Sequence, residues 1–258
     1  MKIAIIGYGK MGKMVERIAL EQGHAVTAIV DPLFQAASPD TPSGAALFSG
    51  MAEAGNLGEA ETAIEFTQPG TALANITALA EKKIPSVIGT TGWYDRLNEA
   101  RQAVERAGTA LVWASNFSLG VNIFYRIAWY AAQLADSFPE YDVGGFEAHH
   151  NKKLDSPSGT AKTLVEGVLA RIGRKETAVW DTLDRRPEPR ELHYPSLRMG
   201  SVPGTHSLFF DSPADTIEIT HTARSREGFS IGALRAAQWL AGRKGIFTID
   251  DMLKDILG

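Results

Sequence analysis

The sequence predicts an α/β protein in which a doubly wound parallel sheet is joined to a second α+β domain with a mostly antiparallel sheet. Three observations carry this expectation. Short apolar runs alternate with helical patterns through the first half of the chain. A long apolar, aromatic stretch at 118–138 then breaks that alternation. Beyond residue 177, strand-like segments follow one another without helices until two amphipathic segments close the chain. The expected division is a first domain of residues 1–117 and 227–258, with 118–226 forming the second.

Taken in order, Lys2–Ile6 is an almost continuous apolar run before Gly7-Tyr8-Gly9-Lys10-Met11-Gly12, as expected of a buried parallel strand. Met11, Met14, Val15 and Ile18 recur at helical spacing, and a second apolar run, Ala25–Val30, ends at Asp31. Residues 32–61, with Pro32, Pro39 and Pro42, predict an irregular connection holding one short strand. Strands are expected at Ala63–Thr67, Pro85–Ile88 and Ala110–Val112, separated by helices carrying Leu73, Ile76 and Leu79 and then Leu97 and Val104. The helix from Ser118 to Phe138 places Ile123, Ile127, Tyr130, Ala131 and Leu134 on one stripe, which is expected to be core. Asp142–His149 reads as a strand, so His149 and His150 are expected on opposite faces. Ala161, Leu164, Val165, Val168, Leu169 and Ile172 form a strongly amphipathic helix with Ser158 as its N-cap. Strands are then expected at Thr177–Thr182, Glu191–Leu197, Thr205–Phe210 and Thr216–Ala223. Helices at Ile231–Leu240 and Met252–Leu257 return to cover the first domain.

Composition excludes several classes of function. The 258 residues are 44% hydrophobic and 22% charged, ordinary values for a globular protein. A net charge of -4 argues against nucleic-acid binding through overall basicity. The absence of cysteine removes disulfides, thiol nucleophiles and thiolate metal sites. No apolar run reaches membrane-spanning length and no leader pattern precedes the first strand, so a cytoplasmic protein with no membrane partner is expected.

Two motifs carry chemistry. The first is strand, G-x-G-x-x-G, helix, strand, acid, the Rossmann-type dinucleotide fingerprint. Its first glycines permit a tight turn and close approach to a pyrophosphate, and the third lets the helix pack on the strand. Asp31 stands where an acid accepts hydrogen bonds from the adenosine ribose. Two further polar segments, Gly89-Thr90-Thr91-Gly92 and Ala114-Ser115-Asn116-Phe117, follow expected strands and so fall at the ligand-binding edge of the sheet.

The second motif is Glu147-Ala-His-His-Asn-Lys-Lys-Leu-Asp-Ser-Pro-Ser-Gly-Thr160. His149, His150 and Lys153 supply proton donors and positive charge. The N–H groups of Gly159 and Thr160, in the first turn of the helix, suit a carboxylate. A metal held by His149 and His150 is disfavoured, because neighbours on a strand cannot easily share one ion.

Together the glycine loop, Gly89–Gly92, Ala114–Phe117, the stretch at 147–160 and His221-Thr-Ala-Arg-Ser-Arg226 resemble the 4-hydroxy-tetrahydrodipicolinate reductase (dihydrodipicolinate reductase) family over nearly the whole chain. The resemblance implies hydride transfer from NADH or NADPH to a cyclic imine dicarboxylate on the diaminopimelate route to lysine. It makes His149 the catalytic histidine and Lys153 the proton donor, with His150, Gly159 and Thr160 binding substrate. It assigns the dinucleotide to Gly7, Tyr8, Gly9, Lys10, Met11, Gly12, Asp31, Gly89, Thr90, Thr91, Ala114, Ser115, Asn116 and Phe117. It implies a homotetramer assembled through the second domain's sheet.

Two departures bear on the cofactor. Lys10 stands where relatives place an arginine, in a loop one residue shorter than in many of them, and Asp31 is followed by Pro32-Leu33 where relatives place a base for a 2′-phosphate. NADH is the expected preference, with NADPH kept open by Lys10. A different two-domain dehydrogenase would leave the Ser-Pro-Ser-Gly-Thr turn unexplained. A redox-sensing regulator would need a DNA-binding module or basic patch, and neither is evident.

Overall fold

The computed structural model describes residues 1–35 and 40–257, the side chains of Gln35 and Leu257 excepted. Pro39, one of the prolines behind the expected irregular connection, lies outside the described residues, as does Gly258. Along the chain run β1 (Lys2–Ile6), α1 (Lys10–Glu21), β2 (Ala25–Val30), β3 (Ala46–Phe48), β4 (Thr62–Glu65), α2 (Pro69–Glu81), β5 (Ser86–Ile88), α3 (Leu97–Ala107) and β6 (Ala110–Trp113). Next come α4 (Leu119–Asp136), β7 (Asp142–His149), α5 (Gly159–Leu169), β8 (Thr177–Val179), β9 (Glu191–His193), β10 (Ser196–Arg198), β11 (Thr205–Asp211) and β12 (Thr216–Thr222). The chain closes with α6 (Glu227–Leu240), β13 (Gly245–Thr248) and α7 (Ile249–Leu257). Two compact units emerge, Met1–Ser118 with Glu227–Gly258, and Leu119–Arg226.

In the first unit seven strands lie in the order β13-β6-β5-β4-β1-β2-β3, and every pairing is parallel. Strands covered on both faces need apolar residues throughout, which is why Ile3, Ala4, Ile5 and Ile6 are all buried. Each isoleucine so buried contributes about 1.5–3 kcal/mol. The strand order reverses at β1, so the loop after β1 opens beside the loop after β4 at the carboxyl edge. Helix α6 packs against α1 and β4–β6. A Cβ on Gly232 of α6 would stand 1.7 Å from the Phe117 carbonyl oxygen, so only glycine lets this helix reach the loop after β6.

Strand β13 was not expected. Gly245-Ile-Phe-Thr248 is short and half-buried, and reads in sequence as a link between two helices. Its pairing with β6 makes it an edge strand, which needs only one strand partner to form.

In the second unit, sheet order β10-β7-β11-β12 combines one parallel pairing, β10 with β7, and two antiparallel ones. The sheet is mixed and mostly antiparallel. The expected strand at Glu191–Leu197 is in fact two. Tyr194-Pro195 divides it, β9 pairing with β8 and β10 with β7, because proline has no N–H to continue a ladder.

Helix α4 corrects the sequence reading. Val121, Phe124, Tyr125, Ala128, Ala132 and Ala135 are its buried face, joined with Leu164, Val165 and Val168 of α5 in one core. Of the stripe assigned to the core, Ala131 alone packs against it, and the rest is exposed: Ile123 by 47%, Ile127 by 51%, Tyr130 by 62% and Leu134 by 51%. The helix is apolar on two faces, so periodicity alone could not say which is buried. Small Ala128 and Ala132 permit close packing, and that side won.

Candidate active site

Two groups of candidate residues emerge, one in each unit. In the first unit the loops after β1, β4, β5 and β6 lie side by side at the carboxyl edge of the sheet. They are stitched by backbone bonds, Phe66 N–H to the Ile6 carbonyl at 2.9 Å and Gly89 N–H to the Glu65 carbonyl at 2.8 Å. The Thr90 hydroxyl accepts the Thr67 N–H at 2.7 Å. The three glycines of the first loop do different work. Gly7 has φ +91°, and a Cβ there would meet the Phe66 carbonyl oxygen at 2.1 Å. A Cβ on Gly12 would meet the Gly7 carbonyl oxygen at 2.1 Å, so the third glycine is what lets α1 approach β1. Around Gly9 nothing lies within 4 Å. The chain is bare at Gly9, the N-cap of α1, where a phosphate would sit against backbone N–H groups.

Asp31 is buried at the end of β2 and accepts N–H groups from Tyr8 at 2.6 Å and Leu33 at 2.9 Å. These bonds hold its carboxylate against the glycine loop. Next to it a pocket of about 580 Å³ is lined by Tyr8, Lys13, Arg17, Asp31, Leu33 and Phe34, among others. Glu16, almost wholly buried, anchors its wall by accepting from the Tyr8 hydroxyl and from the Ser43 N–H at 3.1 Å. Burial, together with Glu16, pushes the Tyr8 phenol up and keeps it protonated. Gly89 also has a packing reason to be glycine, since a Cβ there would strike the Phe66 ring. Beneath Thr67 and Thr90 lies Glu65, fully buried, its carboxyl raised by burial against the hydrogen bonds it accepts.

The second group surrounds the end of β7. Strand register places Ser196, Glu147, His206 and His221 in one row across β10, β7, β11 and β12. Arg198 is the register partner of His149. Glu147 has no solvent exposure and collects donors from three directions. It accepts the Ser158 N–H at 3.0 Å and the Ser158 hydroxyl, the Ser196 hydroxyl at 2.7 Å, and Arg198 Nη2 at 3.1 Å. His149 Nε2 lies 3.5 Å from Glu147 Oε2, an ion-pair distance long for a hydrogen bond. Burial opposes ionisation of Glu147, yet His149, Ser158 and Ser196 outweigh it and hold the carboxyl well below the ordinary range. Burial pushes His206, whose ring meets His149 edge-on at 5.3 Å, down to about 4.

Ser158 caps α5 as expected, its hydroxyl accepting the Ala161 N–H at 3.1 Å. Lys153 is partly buried and ion-paired with Asp155 at 2.7 Å. Arg198 Nη2 also donates to the Asp155 carbonyl at 2.7 Å, tying the loop to β10. His150 lies one residue past β7 and its carbonyl accepts the Lys153 N–H, so strand alternation does not decide where its ring points. The sequence reading missed Glu147, Arg198 and His206 as site residues. A signal existed for the first: Glu147 and His149, two apart on a strand, share a face. Arg198 and His206 come from other strands, and only the pairing brings them in. Glu147, His149 and His206 each bring one ligand atom within 4.8 Å of the others. Glu147 Oε2 already accepts the Ser158 hydroxyl, however, and Arg198 holds the other oxygen. That donor set favours a proton network over a cation.

The parallel sheet with its glycine loop and buried acid defines a dinucleotide-binding oxidoreductase with a second unit. Comparison narrows the class. Residues 1–117 match the family model for dihydrodipicolinate reductase, N-terminus, and residues 120–253 that for dihydrodipicolinate reductase, C-terminus. A 4-hydroxy-tetrahydrodipicolinate reductase of Christiangramia forsetii is 39% identical over 99% of both chains. One from Archaeoglobus fulgidus is 34% identical over 98% of this chain and all of its own. A dipicolinate-bound dihydrodipicolinate reductase from Paenisporosarcina sp. TG-14 superposes with a TM-score of 0.79 at 19% identity, covering 98% and 99% of the two chains. The chain belongs to the dihydrodipicolinate reductase family, NAD(P)H-dependent oxidoreductases serving the diaminopimelate route to lysine. Among the described residues, no helix is long and apolar enough to cross a membrane.

The space at Gly9 has a testable consequence. Gly9→Ala is expected to lower the melting temperature by no more than the few degrees that a poorer N-cap costs, because the Cβ meets no protein atom. It should weaken NADH binding at least about tenfold by filling ground that a pyrophosphate's close approach requires. Fluorescence titration with NADH checks this; unchanged affinity would remove Gly9 from the cofactor site.

Proposed function

We propose that the first unit holds the nicotinamide dinucleotide and that the second binds the cyclic dicarboxylate and manages its protons. The observation that carries this reading is the union, on one buried carboxylate, of His149 and the N-cap of α5. The Rossmann-type edge supports residues 7–12, Asp31, 89–91 and 114–117 as the dinucleotide contacts. When bound, the nicotinamide supplies the hydride.

The protein's own residues handle the rest. The 4-hydroxyl group leaves as water, the hydride adds to the resulting unsaturation, and one proton completes the reduction. His149 exchanges protons with the substrate, and Lys153 delivers one once substrate carboxylate competes with Asp155 for its ammonium. The first turn of α5, at Gly159 and Thr160, binds a substrate carboxylate through backbone N–H groups, and His150 binds beside it. Dipicolinate, bound in the Paenisporosarcina enzyme, is a dicarboxylate of this kind.

NADH is the preferred donor on this reading. Pro32 and the exposed Leu33 offer a 2′-phosphate no positive charge, and Asp31 repels it. Arg17 lines the pocket but is already paired with Glu21 at 2.7 Å and with Glu227. Lys10 and Lys13 keep NADPH usable. The chain forms a cytoplasmic homotetramer through the sheet of the second unit. The face opposite Glu147 supports that assembly, with Phe146 and Phe209 only partly buried and Leu197 exposed.

His149→Gln is expected to lower kcat by about 10²–10⁴-fold, the span of general acid–base catalysis, while NADH affinity holds. An unchanged kcat would take His149 out of the chemistry. Lys153→Ala should lower kcat and raise the substrate KM together, since one group binds and protonates. Steady-state kinetics with freshly made product of the preceding synthase reads both variants. Comparing kcat/KM for the two nucleotides should favour NADH; a large NADPH preference would refute the reading of Asp31. Light scattering should give the mass of four chains, and Leu197→Glu should reduce it; a wild-type monomer would exclude assembly through this sheet. Cell fractionation should find the chain in the cytoplasmic fraction.

A further inference from the structure

We propose that Glu147 is the positioning carboxylate of the proton-handling histidine: it holds His149 by its Nε2 edge, leaves Nδ1 as the nitrogen that meets substrate, and through Ser158 fixes that ring relative to the carboxylate-binding turn. The proposal deepens the function above and rests on His149 being the residue that exchanges protons.

The geometry carries it. His149 Nε2 is buried, makes no hydrogen bond to any other group, and stands 3.5 Å from Glu147 Oε2. The His149 side chain is nevertheless 12% exposed, so its accessible edge is made of other ring atoms. A histidine with one nitrogen against a carboxylate has its tautomer set, and its charged form gains a counter-ion when a proton arrives at the other nitrogen. Gly204 leaves room at the opposite edge of the ring, since a Cβ there would stand 2.8 Å from His149 Cε1 and 3.3 Å from Nδ1. The same carboxylate accepts both Ser158 donors, and the Ser158 hydroxyl in turn caps α5. One anion therefore sets the histidine and the turn together.

The charged and titratable groups facing His149 come from every neighbouring element. They are Glu147 on its own strand, Arg198 on β10, His206 on β11 with His221 beyond it on β12, and Lys153 with Asp155 on the following loop. Glu147 is the acid that stands against the Nε2 atom, whereas Asp155 is engaged with Lys153. Among these groups, its removal is the change that takes a counter-ion from the imidazolium.

The test is Glu147→Gln, which keeps the shape and removes the charge, measured beside His149→Gln and Glu147→Asp. Across pH about 5.5–9, kcat in Glu147→Gln should fall on the order of 10²-fold, with the high-pH limb of the profile moved to lower pH. Glu147→Asp should restore part of that limb, and the KM for NADH should stay near wild type in all variants. In wild-type protein, ¹⁵N-imidazole NMR, with His149 assigned by its absence in His149→Gln, should show neutral His149 protonated on Nε2. A wild-type limb in folded Glu147→Gln, or His149 protonated on Nδ1 in the wild type, overturns the proposal. If Glu147→Gln does not fold, the wild-type tautomer decides alone. An active His149→Gln enzyme would instead fell the underlying reading, a distinguishable result.

Discussion

An ionised carboxylate buried without exposure costs several kcal/mol in desolvation, and the second unit is built around meeting that cost at Glu147. Hydrogen bonds to a charged group return about 1.5–3 kcal/mol each. Glu147 draws them from Ser158, Ser196 and Arg198, which belong to the start of α5 and to β10. Neither group reaches Glu147 unless β10 pairs parallel to β7 and α5 starts just beyond the loop. The requirement to satisfy one anion therefore restricts sheet register, helix start and loop path together. Losing a single donor would strand part of a buried charge, so such a network is retained whole or not at all.

The first unit meets a different constraint, close approach of backbone to backbone. Gly7, Gly12 and Gly232 each stand where a Cβ would overlap a carbonyl oxygen of a neighbouring segment. These contacts bring α1 and α6 against the carboxyl edge and leave Gly9 bare beside the buried Asp31. The edge can then present N–H groups and an acceptor at fixed spacing without relying on long, mobile side chains. The two units thus differ in build: one orders a rigid backbone cradle, the other holds a compact cluster of titratable side chains.

Helix α4 shows how far periodicity reaches. Its sequence carries two apolar stripes, and a stripe is evidence only of a surface that avoids water. Ala128 and Ala132 allow α5 to approach, whereas Ile123, Ile127, Tyr130 and Leu134 remain on the outside. Strand β13 fails for the opposite reason, too short and too mildly apolar to announce itself. The division of Glu191–Leu197 into β9 and β10 was written in Pro195 and passed over.

What the sequence determined by itself is whatever depends on neighbours along the chain. The strand–glycine–helix unit, the acid at the end of β2, the N-cap at Ser158 and the spacing from His149 to Lys153 are all local. Local geometry follows from backbone sterics and short-range hydrogen bonding. Tertiary structure alone decided which side of α4 is core, that β13 completes the sheet, and that Ser196, Arg198 and His206 converge on Glu147. Those choices depend on contacts between residues far apart in sequence, 49 positions from Glu147 to Ser196 and 135 from Ala110 of β6 to Gly245 of β13. Only the folded sheet's register brings such residues within hydrogen-bonding distance.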